Sequence, residues 1–344
     1  MPIVTQRVSS RFVRELAAEV GFQLAGVTGA AAAPDFARFR DWARRGLAGE
    51  MRYLTDYRAE VRASLGNLLP GVKSVISVGM MYGRSGGGIA GYAQGEDYHA
   101  VMRRRLETLA GRLSEFAEFE WRVCVDTAPL LERSVAREAG LGWIGKNTCL
   151  INQQKGSYFL LGELLTTLEI ETDAATDLAP PDRCGSCTRC IDACPTRAIV
   201  PSAEGGFELD ARACISYFTI ELRGAVPKEY RAAIGGNVFG CDICQDVCPW
   251  NRGVEAGEGA VSLEELAGLT EAEFRGRFRG TAVSRAKYGG FLRNVAIALG
   301  NSGRVEFRAA LERLAESEDS MVAEHARWGL ARLGACNRVY PGQH

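Results

Sequence analysis

The segment from Cys184 to Cys248 limits this chain more than any other, because it holds eight of the eleven cysteines. Cys184, Cys187, Cys190 and Cys194, followed by Pro195, spell C-x2-C-x2-C-x3-C-P, the run with which bacterial ferredoxins hold a 4Fe-4S cube. In two-cluster proteins the fourth cysteine of such a run reaches the other cluster, so a second run is required. Cys241, Cys244 and Cys248 before Pro249 provide it, although Val238 stands where its first cysteine belongs. Cys214, between the runs, closes the count: Cys184, Cys187, Cys190 and Cys248 for cluster A, and Cys194, Cys214, Cys241 and Cys244 for cluster B. Two four-cysteine zinc knuckles would consume the same thiols, but C-x3-C-P endings and a traded fourth ligand are ferredoxin habits. Cys124, Cys149 and Cys336 are isolated, and are read as small buried apolar side chains.

Thiols used as ligands imply a reducing compartment. No uncharged apolar run approaches the ~18 residues of a membrane span, and MPIVTQRVSSRFVREL has neither a signal-peptide core nor a twin arginine. A cytoplasmic protein without membrane contact is expected. With only three histidines, a multi-histidine metal centre is excluded, and a net charge of -1 excludes a globally basic nucleic-acid binder while permitting a local basic patch.

Ahead of the cysteines, Met102, Leu106, Leu109, Leu113 and Phe116 recur at helical spacing. Strand-like runs, Val72 to Met80 and Trp121 to Val125, flank that helix, and SYFLLGELLTTLEI closes the region. The prediction is an α/β N-terminal domain over 1–175, an acidic linker (171–183) with a boundary near 176, a two-cluster ferredoxin-like domain over 176–254, and a short all-α HEAT-like cap over 262–340. The 40 glycines suit tight turns or close backbone approach to a large ligand. The run Gly86 to Gly91 matches G-x-G-x-x-G formally, but it does not sit at a strand-to-helix turn; a mobile loop is expected there, and no bound NAD.

The strings VDTAPLLERSVAREAGLGWIGKNTCLI, GSYFLLGELL, ISYFTIELRGAVP and IGGNVFGCDICQDVCPWN resemble the epoxyqueuosine reductase family, from about residue 12 to Asn251. The resemblance implies an oxidoreductase that reduces epoxyqueuosine to queuosine at the wobble position of tRNA. Electrons would pass from an external donor such as flavodoxin or ferredoxin, through two 4Fe-4S clusters, to base-off cobalamin. A monomer is expected. Reductive dehalogenation, which shares cobalamin and two cubes, and a plain iron–sulfur electron carrier are the rival classes. Halide release would separate the first, and the large glycine-rich N-terminal domain argues against the second.

By this resemblance Asp126 is the proton donor. That role needs a carboxyl kept protonated by burial beside the macrocycle; a turn or helix N-cap at Asp126-Thr127 is the plainer alternative, and Glu132 is a competing acid. Lys146, Asn147 and Ser157, with Tyr53 and Tyr98, are the cofactor or substrate contacts expected beside Asp126. A cobalt bond from His99 is disfavoured, since Met102 replaces the glycine of D-x-H-x-x-G; a structural or substrate contact is expected instead. Between Arg275 and Arg293 lie six basic residues and no acid. Arg277, Arg279, Arg285, Lys287 and Arg293 are the expected tRNA phosphate contacts, with Tyr288 and Phe291 for stacking.

Overall fold

The computed structural model describes residues 8–30, 35–172, 183–255, 257 and 261–339, with no side-chain description beyond 334. Most of the predicted linker, including the boundary near 176, and the side chain of Cys336 lie outside the described residues. Among the described residues no helix is long and apolar enough to cross a membrane.

The first region contains α1 (Ser10–Glu19), β1 (Leu24–Gly29), α2 (Phe36–Arg44), β2 (Ser74–Met81), α3 (Tyr98–Ser114), β3 (Trp121–Cys124), α4 (Glu132–Glu138) and β4 (Phe159–Thr166). The strands form one sheet in the order β1-β2-β4-β3, and every neighbouring pair is antiparallel. Helices and strands are mixed as the α/β expectation has it, but the sheet is antiparallel. β2, α3 and β3 are a strand-helix-strand unit, but β4 inserts between its two strands, giving a split arrangement. β4 does not close the region at an edge: Ser74 and Trp121 both face Thr166 across it. Its mostly apolar run suits a strand covered on both faces, and Leu164 and Leu165 are fully buried.

α3 starts where the Asp97 side chain accepts the His99 amide, satisfying an otherwise unpartnered N–H of the first turn. Met102, Leu106, Leu109 and Leu113 are fully buried on one face, each contributing about 1.5–3 kcal/mol relative to exposure. Phe116 lies beyond the helix, edge-to-face on Phe12, and keeps 59% of its surface exposed.

Each cysteine run winds into a short helix, Arg189–Ala193 and Ile243–Asp246, and the two pack together. The Gly86–Gly91 run, expected to be a mobile loop, is stitched onto this segment instead. Val238 N–H donates to Gly88 O, Ala90 N–H to Phe239 O, and Gly91 N–H to Asp242 Oδ2 at 2.7 Å.

The C-terminal helices α5 (Tyr288–Asn301), α6 (Arg308–Ala315) and α7 (Ser320–Val339) pack into one layer. A Cβ on Gly300 would lie 2.5 Å from Gly329 Cα, so glycine lets α5 and α7 meet backbone to backbone. The layer is braced to the cysteine segment. Arg293, 1% exposed, donates to Leu222 O, Gly224 O and Phe218 O, and Asn294 donates to Thr219 O and Val238 O. His325 accepts the Val226 amide through Nε2 and donates from Nδ1 to Met321 O. Burial pushes its imidazole down to about 4, so it stays neutral.

Candidate active site

Asp126 sits just beyond β3 with φ 49°, a left-handed conformation costing an L-residue roughly 1–2 kcal/mol. Its neighbours hold it there. The Asp126 amide donates to Glu132 Oε1 at 2.5 Å, so Asp126 does not cap α4 as the turn reading had it. Its Oδ2 lies 3.0 Å from His99 Nε2 and 3.2 Å from Arg285 Nη1. The other His99 nitrogen lies 2.6 Å from Asp97 Oδ1, and Arg285 Nη2 donates to Glu221 at 2.7 Å. An imidazole with a carboxylate on each nitrogen satisfies both only when it donates from both, as the imidazolium.

The electrostatics follow. Burial would raise the Asp126 carboxyl, but His99 and Arg285 outweigh it and hold the group below the ordinary aspartate value. Burial would lower His99, yet its bonds to Asp126 and Asp97 raise it. In this arrangement the contacts favour Asp126 as the carboxylate and the proton on His99; the neutral Asp126 was expected for burial beside the macrocycle. The side chain of Asp126 keeps 39% of its surface open and lines a cavity. Glu132 is the carboxyl held in acid form, pushed up to about 8 by burial and by the charge on Asp126.

The cavity has a volume of about 680 Å³, with apolar walls from Phe39, Trp42, Met51 and Leu130. On one side α2 is tied to the hairpin Ile199–Pro201/Phe207–Leu209 by Arg38 to Phe207 O, Trp42 Nε1 to Leu209 O, and a two-pronged Arg45–Glu208 pair. Trp143 also lines the cavity. It is 2% exposed, and its indole N–H has no hydrogen-bond partner among the described residues. A buried, unpartnered donor in a roomy wall fits a large amide-bearing ligand such as cobalamin.

The thiols gather in two groups. Burial pushes Cys190 up to about 11, with Cys184, Cys248 and Cys187 as electrostatic neighbours. Burial pushes Cys241 up to about 12, with Cys214 and Cys194 around it, and Cys244 has Cys241 and Cys214 beside it. These are the two quartets drawn from spacing. Backbone amides point at the sulfurs, Ser216 and Tyr217 at Cys214, Ile243 at Cys241 and Trp250 at Cys248, and offset part of the rise that burial imposes on these thiols. Among the described residues no three His, Cys, Asp or Glu side chains converge as ligands of a single ion; in a cube each thiolate takes its own iron. Cys124 is fully buried under the sheet. Cys149, expected to be inert packing, instead lies in hydrogen-bonding contact with Cys244 and near Cys248, between the groups.

The remaining expected contacts divide. Tyr53 and Lys146 line the cavity, and Lys146 Nζ also donates to Gly185 O at 2.6 Å and Cys187 O at 3.0 Å, tying the cavity wall to the first cysteine loop. Asn147 and Ser157 are corrected to buried braces that do not line the cavity: Asn147 Nδ2 donates to Cys244 O, Ser157 Oγ to Gln245 Oε1, and Ser157 N to Asn251 Oδ1. Tyr98 is buried with its ring stacked 4.0 Å from His99, a support for the imidazole and not a cavity contact.

The basic stretch is also redrawn. Arg293 is a buried brace and so not a phosphate contact, and Arg285 pairs with Asp126 and Glu221. Arg275 pairs with Glu271 and Arg277 with Glu265, acids outside the Arg275 to Arg293 window. Phe291 is fully buried and offers no stacking face, while Tyr288 is half-buried and donates to Leu269 O. Arg279 and Lys287 are exposed, and neither forms an ion pair among the described residues. No local pattern marks Arg285 as a partner of Asp126, which it reaches across 159 positions of chain.

Known proteins share this architecture and its motifs. A family model described as "Epoxyqueuosine reductase QueG, DUF1730" matches residues 62–127, and one described as "4Fe-4S double cluster binding domain" matches 183–251. The chain is 42% identical to the epoxyqueuosine reductase of Xanthomonas campestris, covering 94% of this chain and 95% of that protein. It is 40% identical to that of Pseudomonas aeruginosa, covering 94% of each. Among solved structures, an epoxyqueuosine reductase with an epoxyqueuosine-modified tRNA-Tyr stem loop superposes with TM-score 0.83 at 27% identity, covering 97% of this chain and 94% of that one. The Bacillus subtilis epoxyqueuosine reductase, with its catalytic aspartate loop swung out of the active site, gives TM-score 0.81 at 27% identity, covering 94% and 90%.

Proposed function

The chain belongs to the epoxyqueuosine reductase family, and from that premise we propose that the cavity beside Asp126 converts epoxyqueuosine at the tRNA wobble position to queuosine. The observation that carries the site assignment is the Asp97–His99–Asp126–Arg285 chain, whose Asp126 lines a cavity that Lys146 links to the first cysteine loop. The reaction removes the epoxide oxygen as water and consumes two electrons and two protons.

Two 4Fe-4S clusters, held by Cys184, Cys187, Cys190 and Cys248 and by Cys194, Cys214, Cys241 and Cys244, supply one-electron transfer. Cobalamin would supply a strongly reducing cobalt centre when bound; Trp143, Tyr53 and Met51 would line its site. An external one-electron donor such as flavodoxin or ferredoxin would dock where Cys248 lines an open recess of about 560 Å³ with Arg189 and Arg252. The cytoplasm, where tRNA and such donors meet, is the expected setting.

The protein's own groups handle the protons. As negative charge builds on the substrate oxygen, the proton held between His99 and Asp126 is delivered through the carboxyl that faces the cavity. Arg285 keeps that carboxyl aimed, and Tyr98 fixes the ring plane of His99. Arg279 and Lys287 are the side chains of the basic stretch left to meet tRNA phosphates.

The test is an anaerobic reaction of the cluster-loaded protein with epoxyqueuosine-containing tRNA, reductant and cobalamin, read by nucleoside mass spectrometry. Loss of one oxygen only with cobalamin present supports the reading. A persistent epoxide with clusters and cobalamin bound and reduced rejects it.

A further inference from the structure

Turning an epoxide into an alkene breaks two carbon–oxygen bonds, forms one carbon–carbon π bond and sends the oxygen out as water. The external donor supplies both electrons, and the His99–Asp126 couple holds one of the two protons. A second carboxyl faces the same space. Glu132 lines the cavity, and its Oε1 is fixed by the Asp126 amide at 2.5 Å. Behind it, on β4, Glu163 is fully buried; Ser77 Oγ donates to its Oε1 at 3.3 Å, and its Oε2 has no partner among the described residues. Three carboxyl groups thus crowd one corner, and like charges so close in a buried setting do not all ionise.

We propose that Glu132 is the second proton donor of the reaction, protonating the departing oxygen after the His99–Asp126 couple has delivered the first proton. The inference rests on the reading of this cavity as the site of epoxide reduction. Burial and the Asp126 charge push Glu132 up to about 8, against the pull of the Asp126 amide, Arg133 and His99. Burial and Glu132 drive Glu163 well above the usual carboxylate range, against its bond from Ser77. Arg62, Tyr98 and Cys124 are the other titratable groups that feel Glu132. Glu132 stands in the first turn of α4, where the helix would ordinarily favour a carboxylate. The neutral form therefore reflects the crowding and not the helix.

Glu132→Gln separates proton donation from loop support, because the glutamine oxygen still accepts the Asp126 amide. Single-turnover rates under saturating reductant should fall about 100-fold, the usual share of a general acid. The wild-type decline in rate above about pH 8 should vanish in this variant, with partial recovery in Glu132→Asp. Infrared difference spectra of the substrate-free protein should show a protonated carboxyl stretch that titrates away over the same pH range and is absent in Glu132→Gln. A Glu132→Gln enzyme within about twofold of wild type, with the alkaline limb intact, overturns the donor role. So does a wild-type protein that turns over but lacks the infrared band. A wild-type protein that shows the band but leaves the epoxide intact fails at the reading of the site instead.

Discussion

Asp126 concentrates the residue-scale chemistry in one strained position, where a left-handed backbone is held by Glu132 from below and by His99 and Arg285 at the carboxylate. Asp126→Asn keeps the shape and removes the charge. Turnover is expected to fall by about 10²-fold or more while iron content and cobalamin binding stay unchanged; near-normal turnover would move the acid elsewhere. The pair also has a pH signature. His99 is raised, so its stabilisation is complete below its unfolded value of ~6.5 and is lost as pH climbs through the folded value; Asp126 is lowered, so its share is present above ~3.9 and is lost as pH falls through the folded value. Urea midpoints should therefore show His99→Asn costing more stability near pH ~5.5 than near pH ~9. An equal cost at both would mean the imidazole is neutral. Asp126 was legible from its motif, whereas its ionisation was not, because Arg285 arrives from 159 positions away.

At the scale of elements, α3 was readable because four fully buried side chains recur at its period. Leu109→Ala should cost about 2–5 kcal/mol in urea unfolding, since its site is sealed between helix and sheet; a cost under about 1 kcal/mol would mean the face repacks. The insertion of β4 between β2 and β3 was not readable, because an apolar strand reads the same at a sheet's centre as at its edge. The loop carrying Cys214 is a comparable case. Spacing nominated Cys214 as the missing ligand, and the fold sets it among Cys194, Cys241 and Cys244 with two amides aimed at its sulfur. Cys214→Ala should remove about half the iron, the share of one cube in two, and full retention would refute the ligand set.

At the scale of the whole molecule, the helical cap is coupled to the cysteine segment through the buried Arg293, and only part of its basic stretch faces solvent. Neutralising Arg279 and Lys287 together should raise the apparent KM for tRNA and flatten its salt dependence, by about 0.7–0.9 in logarithmic slope for each phosphate that no longer meets a cation. An unchanged slope would place the tRNA on another face. The chain's residues alone determined the two-cluster count, the helix under the sheet and the family, because each depends on spacing along a local stretch or on long strings in order. Tertiary structure alone decided that Arg293 serves the protein's interior, that Arg285 pairs with Asp126, that Asn147 and Ser157 are braces, and that His99 stands between two carboxylates. Charge state and exposure depend on neighbours brought together from distant parts of the chain, and residue spacing carries no record of those neighbours.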